Sequence, residues 1–190
     1  MKGRYQKLVL ILLGVAGAAL LFGVLLRSRE PAYQGKRLSA WLSDLARTPY
    51  PESGSGRAAE AIRAIGTNAV PYLVKNLKSK DPRFMERIIL WTRKQTLVRP
   101  PLRLASERRH AACDALFILG DKAKGAIPII TALLDDKDLS GDAFFALFAI
   151  GTNSIPVLRE ACRDGKRYIR TQAAWLLGKL SSGNRGFTTS

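Results

Sequence analysis

The stretch Ala64-Ile65-Gly66-Thr67-Asn68-Ala69-Val70-Pro71-Tyr72-Leu73 decides the fold, because it returns as Ala149-Ile150-Gly151-Thr152-Asn153-Ser154-Ile155-Pro156-Val157-Leu158. A looser copy lies between the two: Ile118-Leu119-Gly120, a longer turn, then Ala126-Ile127-Pro128-Ile129-Ile130. A partial fourth copy is Leu176-Leu177-Gly178. The phrase has a mechanical reading. Glycine after an Ala/Ile/Leu run suits the left-handed residue that closes a helix, where a side chain would clash. Asn68 and Asn153 carry the side chain of a good N-cap. Proline in a first turn gives up an amide hydrogen that has no partner inside the helix. Each phrase thus predicts a joint: helix, glycine stop, polar cap, proline-started helix.

Spacing turns the joints into hairpins. Gly120 to Gly151 is 31 residues and Gly151 to Gly178 is 27, a fair length for one helical pair. Gly66 to Gly120 is 54, so an insertion of roughly one helix lies between them. One hairpin cannot bury its own apolar face, and such units stack until end units cap them. Elsewhere apolar residues recur at three- and four-residue spacing without alternating β-branched runs, which makes the chain all-α. Leu38, Trp41, Leu42 and Leu45 fall on one face of a predicted helix Leu38–Ala46 that suits a cap. The stretch 49–56 (PYPESGSG) is its linker. Asp142–Ile150 is apolar nearly all round, as expected of a helix covered on several sides.

At these residues the chain resembles the HEAT-repeat family, including the HEAT-like repeats of bacteria. The match runs through Arg57–Leu73, Ala111–Asp136, Asp142–Leu158 and Arg170–Leu177, within a span, 57–177, of about two thirds of the chain. Tyr33–Leu42 is similar to a lead-in helix found before such repeats in some membrane-tethered bacterial proteins. The resemblance implies an α-α superhelix of three to four hairpins whose second helices line a surface that docks partners. Here that surface would include Tyr72, Lys75 and Arg159, with Leu73, Leu77 and Leu158 pointing inward. The family also includes DNA glycosylases and phycobilin lyases, so nucleic-acid binding and a lyase activity are alternatives. No lyase residue matches.

The net charge of +16 is concentrated. Residues 78–109 hold ten Lys/Arg against Asp81, Glu86 and Glu107, a net +7. Closely spaced like charges build a field that favours an anionic surface or polymer, through Arg87, Arg93 and Lys94 among others. A merely solvated face is the competing account. The segment Asp81–Lys94 is read as a helix whose stripe Phe84, Ile88 and Trp91 packs on the neighbouring repeat, with an exposed binding ridge as the alternative.

Residues Leu8–Leu26 form a run of 19 positions with no charge and no hydrogen-bonding side chain. At about 1.5 Å per residue this matches a hydrocarbon core of roughly 30 Å. The next residues, Arg27-Ser28-Arg29-Glu30-Pro31, offer no small-x-small cleavage site, which favours a retained transmembrane anchor over a signal peptide. Basic residues on both flanks leave orientation open. The expectation is a cytoplasmic N-terminus and an exported domain.

Chemistry-bearing groups are few. His110 lies three residues before Cys113, on one helical face, yet a zinc site needs three or four ligands. Cys113 and Cys162 read as buried free thiols. Asp135-Asp136-x-Asp138 lacks the glycine turn and distal Glu of a calcium loop, and reads as a polar turn before an N-cap at Ser140. No phosphate loop or nucleophile–base pair is found, so no catalytic, cofactor or metal residue is assigned and a non-enzyme is expected. The organisation predicted is 1–30 basic N-terminus and anchor, 31–56 cap and linker, 57–180 repeats with the basic insertion at 78–109, and 181–190 a frayed tail. The function expected is a membrane-tethered scaffold for an unidentified protein partner.

Overall fold

A computed structural model describes residues 30–47, 56–82, 84, 87, 88, 91 and 104–182. The chain divides at Glu30 into two units, and every described residue except Glu30 belongs to the second, Pro31–Ser190. The expected anchor at 8–26, Arg93, Lys94, most of the linker and residues 183–190 lie outside the described residues.

The second unit opens with a β-hairpin, β1 (Ala32–Tyr33) antiparallel to β2 (Lys36–Arg37). Gln34 and Gly35 both have positive φ, 49° and 73°, the turn that matches the twist of two strands. This corrects the reading of Tyr33–Arg37 as the start of a helix. The cap helix α1 (Leu38–Leu45) comes directly after, and it buries Leu38, Trp41, Leu42 and Leu45 as the periodicity requires. Trp41 Nε1 donates to Tyr33 O at 3.3 Å, and Lys36 lies over its ring at 4.3 Å, so the hairpin is stitched to the helix it precedes.

Among the described residues, three complete helical hairpins come next. The first is α2 (Arg57–Ile65) and α3 (Val70–Leu77). The second is α4 (Ala105–Leu119) and α5 (Ile127–Thr131). The third is α6 (Ser140–Ile150) and α7 (Ile155–Asp164). A last helix, α8 (Arg167–Ser181), packs along α7 as the first half of a further pair. First helices stack on first helices: α1 on α2 and α4, α4 on α6, α6 on α8. The buried side chains of α1 to α8 form one continuous core. Within it α6 is covered on nearly every side, with Ala143, Phe144 and Ala146–Ile150 all buried.

The joints are tight 3-10 turns, Gly66–Ala69, Gly120–Ala126 and Gly151–Ser154, and they stack in that order. Their glycines do have positive φ (62°, 51° and 86°), but with ψ of −137°, −124° and −139°. That is the mirror image of extended backbone rather than the left-handed helix cap, and it is harder still on a side chain. Three expectations fail here. Asn68 and Asn153 do not cap the second helices, because the 3-10 turn already feeds the orphan amides. Asn153 Nδ2 instead donates to Asp121 Oδ1 at 2.8 Å, tying the third joint to the second. Gly178 is no stop either, since α8 runs through it to Ser181. Ser140 likewise is the first residue of α6 and buried, not its N-cap.

Among the described residues, Ser140–Asp164 is long and apolar enough to cross a membrane by composition alone. It is two helices bent at Gly151 with 56% of its apolar window buried, so the core accounts for it.

Candidate interaction surfaces

The base of the insertion is closed by paired charges. Asp81, four residues beyond α3, caps the N-terminus of α4: its carboxylate accepts from the Ala105 amide and from Arg108 Nη2 at 2.8 Å. A carboxylate there satisfies an orphan amide and faces the positive end of the helix dipole. Arg109 reaches both neighbours, donating from Nε to Asp142 at 2.5 Å and from Nη1 to Ser79 O at 2.9 Å. Both side chains of the Arg109–Asp142 pair are only 15% exposed, and the pair bolts α4 to α6. Lys80 extends to the turn before α6, where Asp136 accepts at 2.7 Å and Asp138 at 3.3 Å. That contact holds the Asp136 carboxyl below its ordinary range and the Lys80 ammonium above its own. A cleft of about 260 Å³ opens among Lys80, Asp81, Ser106, Arg109 and Asp138, its charges already matched.

These contacts divide the basic patch. Lys80, Arg108 and Arg109 contribute to the +7 of residues 78–109, but they are engaged in holding the stack together. Among the described residues of this stretch, Lys78 and Arg87 are the basic side chains left exposed to solvent without an ion pair in the stack. The aspartates read as a polar turn are more than that, since they are the acceptors for Lys80.

The groups weighed for chemistry are separated or occupied. His110 is exposed, and its Nδ1 donates to Ser106 O at 2.8 Å within its own helix. Cys113 is fully buried, its thiol turned to Asp142 O, and burial pushes its pKa well up, first by desolvation and then by the Asp142 and Asp114 charges. No Cys–His pair forms. Cys162 is half-buried rather than buried. No group of three metal-binding side chains occurs among the described residues.

The docking residues expected on the second helices divide. Lys75 and Arg159 are exposed. Tyr72 is half-buried and packed against the core, so it is not the fully exposed side chain the reading expected. Superposing the repeated phrases places Ile129 and Val157 at the position of Tyr72, and Glu160 at that of Lys75. Ile129 is 41% exposed and Val157 half-buried. The three apolar positions are equivalent by sequence, one per hairpin, and the joints that precede their helices stack in order. Aligning all three phrases residue by residue finds Ile129 and Val157; reading each phrase alone does not. Arg159 is not matched by a charged residue in the other hairpins, where its equivalents are Thr131 and the buried Val74.

The stripe on the insertion contradicts expectation. Phe84, Ile88 and Trp91 are helical but stand 61%, 47% and 62% exposed, not packed on the adjacent repeat. Arg87 is exposed beside them. Asp81, at the base of the insertion, is tied to α4, while these three side chains stand exposed.

Residues 56–79, which contain the α2–α3 hairpin, match the family described as PBS lyase HEAT-like repeat. The chain therefore contains a HEAT-like repeat. It is also similar to a glycerol kinase of Verminephrobacter eiseniae (strain EF01-2), 31% identical over 152 residues. That similarity takes in 80% of this chain but 26% of the matched protein, so the chain spans about a quarter of its length. No solved structure matches the chain.

Proposed function

We propose that this chain is a membrane-tethered interaction scaffold whose stack docks a protein partner along the row of its second helices. The observation that carries the reading is the repetition of one half-open apolar position, Tyr72, Ile129 and Val157, in three successive hairpins. Lys75, Glu160 and Arg159 rim it with both signs of charge. An apolar strip supplies burial worth about 25 cal/mol per Å², while rim charges of mixed sign set register and exclude wrong partners. A stack of repeats extends such a strip over several turns, which suits a protein surface better than a small molecule. The tether rests on the uncharged run at 8–26, with the domain exported.

Binding rather than turnover is favoured by how the reactive groups are used. Cys113, His110, Asp136 and Asp138 each serve a structural contact. Similarity to a quarter of a glycerol kinase carries no phosphoryl transfer to this chain.

The test is recovery of a partner from detergent-solubilised membranes by the full chain. Lys75→Glu with Ile129→Asp should abolish recovery, whereas Ala64→Glu, on the exposed side of α2, should leave it unchanged. A partner retained equally by both variants would remove the docking row from consideration.

A further inference from the structure

The helix in the insertion carries an apolar face that the stack leaves open. Phe84, Ile88 and Trp91 recur at i, i+4 and i+7, and at about 100° per residue they fall within an arc of roughly 60°. Arg87 lies about 40° beyond that arc, flanking it. From residue 78 to residue 103 the chain has eight basic and two acidic residues. Lys80 and Asp81 are engaged at the base, so the excess that remains is strongly positive. Two large aromatic side chains and an isoleucine this exposed are costly in water unless something covers them.

We propose that this face is a membrane-surface contact, laid onto an anionic phospholipid bilayer with Phe84, Ile88 and Trp91 in the headgroup–acyl boundary. The chemistry selects this occupant. A basic helix with one apolar face lies in the plane of an anionic interface, and tryptophan settles at headgroup depth, where its ring is half in hydrocarbon. Positive charge beside the stripe is complementary to anionic headgroups and draws the helix in. A single-stranded nucleic acid would also welcome the charge, but it needs rings on which successive bases stack. Ile88, in the middle of the stripe, has no ring face to offer. The contact is independent of the second-helix row. It rests on the tether only for keeping the domain beside the bilayer.

The full chain reconstituted into vesicles tests it through Trp91, one of three tryptophans. Trp175→Phe removes the other exposed indole and leaves Trp41 shielded in the core. In this background, vesicles of phosphatidylcholine brominated on the acyl chains are compared with and without phosphatidylglycerol. The tether alone brings the protein to both, so flotation reports the tether and Trp91 emission reports the contact. The expected result is a blue shift and loss of most Trp91 emission only where phosphatidylglycerol is present, absent in Trp91→Phe and reversed by Arg87→Glu with Lys78→Glu. Equal emission from both vesicle types overturns the proposal. So does a Trp91 response to a single-stranded oligonucleotide in place of vesicles.

Discussion

A methyl group on Gly66 would meet no atom within 4 Å, and likewise on Gly120. Glycine is required there by backbone conformation alone, since an L side chain in that region of φ and ψ costs about 1–3 kcal/mol. Gly178 also has open space around it, but it sits inside α8. There alanine is the better helix former by roughly 0.8–1.0 kcal/mol. The two substitutions should therefore move stability in opposite directions: urea unfolding should give a lower midpoint for Gly66→Ala and a higher one for Gly178→Ala. The same direction for both would contradict the joint geometry. The sequence phrase makes these glycines look alike. Gly66, Gly120 and Gly151 are each succeeded by a proline-started helix that forces the reversal, whereas Gly178 is succeeded by Lys179-Leu180, which continues the helix and buries Leu180. The proline, not the glycine, is the discriminating signal.

At the scale of elements, two ion pairs with similar distances differ in weight. Lys80–Asp136 is open to solvent, and screening makes it a minor contributor. Arg109–Asp142 is largely enclosed between α4 and α6 and is joined by the Ser79 carbonyl. Removing one partner would leave the other charge sealed away from water, at a cost of about 3 kcal/mol. Arg109→Met alone should destabilise by that order in chemical unfolding, and Arg109→Met with Asp142→Leu should recover most of it. A double variant as unstable as the sum of the singles would show that the two residues act separately. Helix identity and burial were legible here from periodicity: Leu73, Leu77, Leu116, Leu147 and Leu158 are all fully buried. The network was not, because Asp81 and Asp142 lie far in sequence from Arg108 and Arg109, and only folding brings them together. For the same reason the basic patch read from composition mixes charges that brace the stack with charges that face outward.

The whole molecule joins a stack with one apolar position open per hairpin to a basic insertion whose aromatic stripe is uncovered. On our proposals the two faces take different occupants, a protein along the second helices and a bilayer under the insertion. The joints at Gly66, Gly120 and Gly151 can be read from glycine spacing with the proline that comes after each, whereas Gly178, counted with them, is not a joint. The β-hairpin at Ala32–Arg37 cannot be read, since two residues per strand are too few to show an alternation. The uncovered stripe is not legible either: amphipathic spacing is the same whether a helix packs on its neighbour or waits for a surface.

The docking row is the central claim, and site-specific crosslinking tests it most directly. A photoreactive residue placed at Ile129 of the full chain, in native membranes, should give a discrete adduct with the same protein as one at Val157. The same residue at Ala64, exposed on the opposite helix of the first pair, should give none. An adduct from Ala64 equal to that from Ile129 and Val157, or different adducts at the two row positions, would contradict the docking row.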